Sequence, residues 1–296
     1  MKNFRTIQLP TLALAAIFVA PSVWADTYQP FVLAETTADS VAAASDKAKS
    51  SLVGQGFEVV GEYAPNDATH ILVVTNATLK SLAANSENGG FGAIERVAVV
   101  NRAGKVEVSY TNPTYQFNAY RMKGDISGVQ TAMEKALGNV STYGADEGLS
   151  AEDLREYHYK MMMPYFDDED RLASYGSYEE ALKTVEAGLQ AKKSGVAKVY
   201  RVDIPGKNMS VIGVSLSQKE GSDANILAQI DQNGHSHAAH LPYEILVVED
   251  RAIALNGKFR IAINWPSLSM MGSGSFMSIA NAPDHIKEAL ETVAEK

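Results

Sequence analysis

The sequence predicts an α+β fold, in which antiparallel sheets pack against helices. Short segments that alternate between apolar and polar residues, such as 106–111, are typical of half-buried strands. Other segments repeat apolar residues every three or four positions, as Ala44, Ala48 and Leu52 do, and this spacing is typical of helices. An apolar fraction of 46% and a charged fraction of 21% are those of a folded globular chain.

In the first half, the predicted elements follow one another as strand, helix, four strands and helix. Asp39 is predicted to cap the first helix, which ends at Gly54. Asp125 is predicted to cap the second helix, and a polar stretch at 78–92 separates the middle strands. The predicted strands are 31–34, 57–60, 70–75, 96–101 and 105–111.

The second half repeats this order. Ser177 and Glu180 predict a capping box at the start of a helix. Asn281 is predicted to cap the final helix, with Pro283 at its start. A polar stretch at 217–240 matches the polar stretch of the first half. The predicted strands are 171–174, 198–203, 209–216, 244–249 and 258–265.

Local phrases recur along with the order of elements. Segment 96–100 is similar to segment 244–248, and segment 106–113 is similar to segment 259–266. Segments 106–113 and 259–266 both end at a proline. Proline has no amide hydrogen to donate to a neighbouring strand, so it ends the pairing. The repetition predicts two tandem β-α-β-β-β-β-α domains. The side chains predicted to be buried on the helix-covered faces of the sheets are Val99, Val108, Ile261 and Ile263.

A connector is predicted between the two repeats. Segment 139–170 holds a predicted helix at 151–162, capped by Ser150, and then the acidic run 167–170, which lacks the spacing of a calcium loop. We expect this connector to pack across both repeats. The predicted divisions are a signal peptide at 1–25, a first α+β domain at 26–139, a helical connector at 140–170 and a second α+β domain at 171–296.

The repeated phrases carry a resemblance to a known family. They are 56–59, 96–99, 110–113, 241–244 and 259–262. In these segments the chain resembles the bacterial and archaeal domain of unknown function number 302, as two tandem copies over nearly the whole mature chain. That family is similar in fold to the TATA-binding-protein class, so the resemblance implies a curved antiparallel sheet in each copy, with helices on one face. The resemblance implies a fold and no activity. The second copy departs from the pattern through a polar first strand and a hairpin lengthened by 251–256, which leaves its strand count open.

The first 25 residues predict export. Lys2 and Arg5 precede an apolar run at 9–19, and 23–25 then places small residues where a signal peptidase cleaves, after Ala25. The alternative is a single membrane anchor, but the apolar run is shorter than the ~20 residues that span a bilayer. We therefore predict a periplasmic protein that begins at Asp26.

Composition restricts the chemistry of the mature chain. The sequence has no cysteine, which excludes disulfides, thiolate catalysis and thiolate metal sites. Removal of Lys2 and Arg5 takes the formal net charge from −9 to −11, a balance that repels nucleic acid and favours cationic ligands or simple solubility. The sequence shows no Ser-His-Asp arrangement, phosphate loop or dinucleotide fingerprint.

Three histidines lie close together in the sequence. His235, His237 and His240 predict a site for copper or zinc, because a neutral imidazole nitrogen suits both ions. On an extended strand His240 faces away from the other two, so a loop must bring the rings together. The alternative is an exposed polar loop.

Methionines form two further groups. Residues 161–163, with His158 one turn earlier, are either a thioether site for Cu(I) or side chains that fill gaps in a core. Met270, Met271 and Met277 flank a Gly/Ser-rich segment at 272–275, which is either a lid over a pocket or a connecting loop.

A set of aromatic residues and one arginine is the candidate ligand-binding group. Tyrosine offers an apolar ring and a polar tip, and arginine can clamp an anion, so these residues line a ligand cleft or form the rim of a core. They are Tyr110, Tyr115, Tyr120, Arg121, Trp265 and Phe276.

Together these patterns predict an exported binding protein for a small ligand or a protein partner. We expect no cofactor, no nucleic-acid partner and no membrane span after cleavage. One alternative is periplasmic copper or zinc handling through His235, His237 and His240. A second alternative is an enzyme whose site is dispersed over the fold, although the sequence favours a protein without catalytic activity.

Overall fold

A computed structural model describes residues 26–296, which form helices and three antiparallel sheets. This arrangement confirms the predicted α+β class. The signal peptide predicted at residues 1–25 lies outside the described residues. No helix within 26–296 is long and apolar enough to cross a membrane.

The first half of the chain builds a six-stranded sheet, called sheet 1. In chain order the strands of this half are β1 (Thr27–Tyr28), β2 (Phe31–Thr37), β3 (Glu58–Asn66), β4 (Thr69–Thr75), β5 (Glu95–Arg102), β6 (Lys105–Thr111) and β7 (Ser141–Tyr143). Their order in sheet 1 is β3-β4-β5-β6-β2-β7. The remaining strand, β1, pairs with a short strand of the connector, β8 (Leu149–Ser150).

The second half builds a five-stranded sheet, called sheet 2. Its strands are β9 (Asp170–Ser174), β10 (Val196–Asp203), β11 (Met209–Leu216), β12 (Tyr243–Val248) and β13 (Arg251–Ala254). Their order in the sheet is β10-β11-β12-β13-β9. The connector contributes β7 to sheet 1. The rest of the connector lies in the chain between the last strand of sheet 1 and the first strand of sheet 2.

Nine helices of the described residues pack on and between these sheets. They are α1 (Val41–Gly54), α2 (Ala77–Ala84), α3 (Pro113–Ala119), α4 (Ser127–Leu137), α5 (Ala151–Arg155), α6 (Tyr178–Gln190), α7 (Asp223–Ile230), α8 (Gly257–Ala262) and α9 (Ala282–Ala294). Helices α1 and α4 contact each other and sheet 1, and helices α6 and α9 contact each other and sheet 2.

The two sheets correspond strand by strand. Five strands share one spatial order, and both edge strands carry a register shift at the same place, around Val60 in β3 and around Val199 in β10. In sheet 1 Val73 pairs with Arg96, and in sheet 2 Gly213 pairs with Glu244. Arg96 and Glu244 therefore occupy equivalent positions. One continuous apolar core includes residues of both halves, and the division into two tandem domains stays a prediction.

The predicted strand at 258–265 is wrong. This segment is helix α8 followed by a turn. The last strand of sheet 2 in the chain is β13, which lies in the segment predicted to lengthen a hairpin. The predicted equivalence of 106–113 with 259–266 therefore fails. By register, β13 corresponds to β6, and Asn256 before α8 corresponds to Asn112 before α3. Ile261 and Ile263 are buried as predicted, but not in a strand.

Two polar stretches and the connector also differ from the prediction. The stretch at 78–92 contains most of α2, and the stretch at 217–240 contains α7, so each half has a helix that the sequence analysis did not assign. The connector helix ends at Arg155 instead of extending to residue 162. Val99 and Val108 are buried in strands β5 and β6, as predicted.

Helices α6 and α9 approach so closely that they tolerate only glycine at position 188. A Cβ atom there would lie 2.1 Å from the Val293 carbonyl oxygen. We expect Gly188→Ala to lower the free energy of unfolding by about 1–3 kcal/mol, because the two helices must move apart. Gly128→Ala is the matched control, since Gly128 also lies in a helix and a Cβ there meets nothing within 4 Å. That variant should gain about 0.5–1 kcal/mol. Urea denaturation of both variants measures the difference, and equal effects would contradict the close packing.

Candidate functional site

A buried ion cluster joins the two halves. Arg96 on β5 donates a hydrogen bond to Glu244 on β12 and another, of 3.0 Å, to Gln116 on α3. Arg260 on α8 approaches the other Glu244 oxygen at 3.4 Å. The side chains of Arg96, Glu244 and Arg260 are at most 2% exposed. Glu244 therefore compensates two buried guanidinium groups, and one of them comes from each half of the chain.

The neighbouring His240 is buried beside this cluster, and its ring is neutral. Burial lowers the pKa of the His240 ring well below its usual range, and the charge of Arg260 lowers it further. Arg260 also donates to the His240 carbonyl oxygen. Glu244, which its sequence position near the histidines makes a candidate to orient a ring, is instead held between Arg96 and Arg260.

Two side chains from the first half of the chain contact the segment that carries the three histidines. Arg102, at the end of β5, donates 2.6 Å to the Gly234 carbonyl oxygen. Glu107 on β6 lies 3.0 Å from Nδ1 of His235. The loop that carries the three histidines is therefore fixed by contacts from sheet 1, although it belongs in sequence to the second half.

All three histidine rings use the same nitrogen for a contact within the protein. Nδ1 of His235 meets Glu107, Nδ1 of His237 lies 2.8 Å from the Asn264 carbonyl oxygen, and Nδ1 of His240 lies 3.1 Å from the His237 carbonyl oxygen. This leaves Nε2 as the second nitrogen of each ring. Within residues 26–296, however, no three His, Asp or Glu side chains converge in a way that could hold a metal ion.

Aromatic rings line an open cleft beside this segment, here called the aromatic cleft. Its volume is about 500 Å³ and its walls include Tyr143, His235, His237 and Trp265. His237 stacks on Trp265 with ring centroids 5.0 Å apart, and Tyr143 lies 5.1 Å from His235. The Gly/Ser-rich loop reaches the cleft through Gly274. The structure thus brings together two of the predicted histidines, Trp265 and the loop.

A second open space adjoins the aromatic cleft. This acidic groove has a volume of about 730 Å³ and contains exposed carboxylates from the connector. Asp146 and Ser267 line both spaces, and the Asp146 amide donates 2.7 Å to the Ser267 hydroxyl where the spaces meet. The acidic residues that line it are Asp146, Glu147, Glu152, Asp153 and Glu156.

The acidic groove is absent from the features predicted from the sequence. Five acidic residues within 146–156 are a signal that was present in the sequence. Only the later acidic run, at 167–170, figures in the prediction. Folding places the earlier run against 266–267, more than a hundred positions away in the chain, and this contact turns a charged segment into a groove.

Most of the predicted aromatic residues lie in the core. Tyr110 and Tyr115 donate hydrogen bonds to the carbonyl oxygens of Gly138 and Ile263, at 3.0 and 2.8 Å. Tyr120 is 1% exposed, and the Phe276 ring is 5.0 Å from that of Tyr159. Of the predicted aromatic residues, Trp265 lines the aromatic cleft and these four do not.

Arg121 lies elsewhere. Its Nη1 is 2.9 Å from the Asp167 carboxylate and its Nε donates 2.7 Å to the Arg155 carbonyl oxygen. Arg121 therefore contacts the connector and does not line the aromatic cleft.

Comparison with protein-family models, with curated proteins and with solved structures found no match. The resemblance to family 302 therefore stays a prediction.

The environment of His237 predicts a neutral ring at physiological pH. Burial lowers its pKa to about 4, and the charge of Arg102 acts in the same direction. Since the ring titrates near 6.5 in an unfolded chain, the stability it contributes is present above about pH 6.5 and is lost as the pH falls towards 4.

We therefore expect the His237 ring resonances in an NMR titration to stay constant between about pH 8 and 5. His237→Gln identifies those resonances and should flatten the part of the stability profile between about pH 6.5 and 4. A His237 midpoint near 6.5 would contradict the buried environment.

Proposed function

We propose that the protein is an exported binding protein whose ligand is a small cation. The ligand would lie across the aromatic cleft and the acidic groove. The observation that carries the proposal is that the five carboxylates of the groove adjoin the aromatic walls of the cleft at Asp146 and Ser267. Polyamines and short peptides that contain lysine or arginine belong to the matching chemical class.

The two spaces contribute different interactions to such a ligand. The clustered carboxylates attract cations over several ångströms, and the net charge of the mature chain adds to that attraction. The half-buried Tyr143 ring lines the cleft, and an ammonium or guanidinium group over its face would be stabilised by about 0.5–2 kcal/mol. Volumes of about 500 and 730 Å³ match those of known small-molecule sites.

Metal handling is the second candidate, and one feature of the histidines favours it, namely their contacts at Nδ1. Metal-binding histidines usually give their second nitrogen to a carboxylate or a carbonyl oxygen, which orients the ring. His235, His237 and His240 all show such a contact at Nδ1. Binding of Cu²⁺ or Zn²⁺ would require Nε2 atoms from more than one of these rings to converge.

Export of the mature chain is part of the proposal. It rests on the signal-peptide pattern of residues 1–25. The first strand of the structure begins at Thr27, one residue after the predicted new N-terminus at Asp26.

The ligand proposal predicts a specific effect of removing charge from the groove. We expect spermidine and a trilysine peptide to raise the melting temperature of the protein, and a triglutamate peptide to leave it unchanged, because a bound ligand stabilises the folded state. Glu147→Gln/Glu152→Gln should weaken spermidine binding by about threefold or more. Calorimetry at low and at physiological salt measures this loss, and added salt should weaken binding to the unaltered protein.

Glu220→Gln/Asp250→Asn is the matched control, because both side chains are exposed and lie outside the groove. This variant should bind spermidine as the unaltered protein does. Equal binding by the groove variant and the control would contradict the proposed site. The same thermal screen with Cu²⁺ and Zn²⁺ distinguishes the metal candidate.

The export proposal predicts the N-terminus of the protein in its source cell. Mass spectrometry of the periplasmic fraction should find a chain that begins at Asp26, because 23–25 forms the cleavage site. A cytoplasmic chain that retains residues 1–25 would contradict both cleavage and localisation.

A further inference from the structure

Five methionine side chains are exposed to solvent in two loops. Methionine usually fills gaps in a core, as Met122, Met133 and Met209 do here with 8% exposure or less. Five other methionines are exposed instead of buried. They are Met161 (86% exposed), Met162 (95%), Met270 (39%), Met271 (79%) and Met277 (61%).

The loop that carries Met270, Met271 and Met277 is closed by hydrogen bonds between its own backbone atoms. The Phe276 amide donates 3.0 Å to the Ser269 carbonyl oxygen, and the Met277 amide donates 3.3 Å to the Met270 carbonyl oxygen. These bonds place Met270 and Met277 side by side, with Met271 following directly. Three thioether side chains, each with three rotatable bonds, therefore leave the backbone from one small area.

The two loops touch each other. The Tyr159 hydroxyl donates to the Leu268 carbonyl oxygen, and the Tyr159 ring lies 5.0 Å from Phe276. A turn follows Tyr159, in which the Met163 amide donates 2.9 Å to the Lys160 carbonyl oxygen. This turn presents Met161 and Met162 to solvent beside the loop that carries the other three.

We propose that the two methionine loops form a site for a soft monovalent metal ion, Cu(I) or Ag(I). Thioether sulfur binds such ions in preference to hard cations, and it adds no negative charge. Met270, Met271 and Met277 supply the primary ligands because their loop is closed, and Met161 and Met162 extend the set. This site is distinct from the histidines and goes beyond the proposed binding of an organic cation.

The chemistry of the ligands gives the site a recognisable signature. A thioether is not protonated at any physiological pH, so binding should be equal at about pH 5 and about pH 8. The buried rings of His237 and His240 have lowered pKa values and also stay neutral over this range. The methionine and histidine variants, and not the pH dependence, therefore separate the two classes of metal site.

The test is an anaerobic titration of the mature protein with Cu(I), in competition with a chelator of known affinity. We expect one Cu(I) per chain and equal affinity at both pH values. Met270→Leu/Met271→Leu/Met277→Leu keeps the size and apolar character of the side chains and removes the sulfurs, so it should weaken binding by about tenfold or more. Met133→Leu is the control for a methionine outside the loops, and His235→Ala/His237→Ala is the control for the histidines. Both should bind as the unaltered protein does.

A second measurement identifies the ligands directly. In NMR spectra of protein with labelled methionine methyl groups, Ag(I) should shift the resonances of Met270, Met271 and Met277 and leave that of Met133 in place. Binding that the triple leucine variant retains, or that the histidine variant loses, would overturn the proposal. Failure to compete with the chelator would also overturn it, and the methionine surface would then be a candidate for docking a protein.

Discussion

The carboxylate of Glu244 lies between two buried guanidinium groups, and the arrangement of the whole molecule depends on that contact. One guanidinium belongs to Arg96 in sheet 1 and the other to Arg260 in α8. Burial of a charge is costly unless the charge is paired, so neither arginine can occupy its position without the acid. Burial lowers the pKa of the adjacent His240 ring, and the positive charge of Arg260 lowers it further.

The position of this contact fixes how the halves meet. Arg96 on β5 and Glu244 on β12 occupy equivalent positions in the two sheets. The two sheets therefore contact each other through the same position of the same strand. Close packing nearby requires glycine: a Cβ atom on Gly61 would lie 2.6 Å from the Val199 carbonyl oxygen. The same junction brings the connector against the segments that carry the histidines and Trp265. Both candidate spaces are therefore products of the contact between the halves, and the sequence of either half alone does not contain them.

Local patterns predicted the strands of the first half well, because alternation and turn residues are local properties. The segment at 258–265 was misassigned because Phe259, Ile261 and Ile263 alternate with more polar residues, as in a strand. The strand prediction assumed that Arg260 faces solvent. In the structure Arg260 is buried against Glu244 of a distant strand, so the polar residues of the segment do not mark an exposed face. Contacts with distant parts of the chain also determine the roles of the tyrosines, and the local sequence does not show those contacts. Tyr115 looks like a ligand-binding residue in sequence, but its hydroxyl bonds the Ile263 carbonyl oxygen in the other half.

The most direct test of this account compares the removal of each partner in the ion cluster. Glu244→Gln leaves two buried guanidinium groups uncompensated, so urea denaturation should show a loss of about 3–5 kcal/mol. Arg96→Met leaves Glu244 paired with Arg260 and should cost clearly less. A loss of less than about 0.5 kcal/mol for Glu244→Gln, or a larger loss for Arg96→Met, would contradict the central place of this carboxylate in the structure.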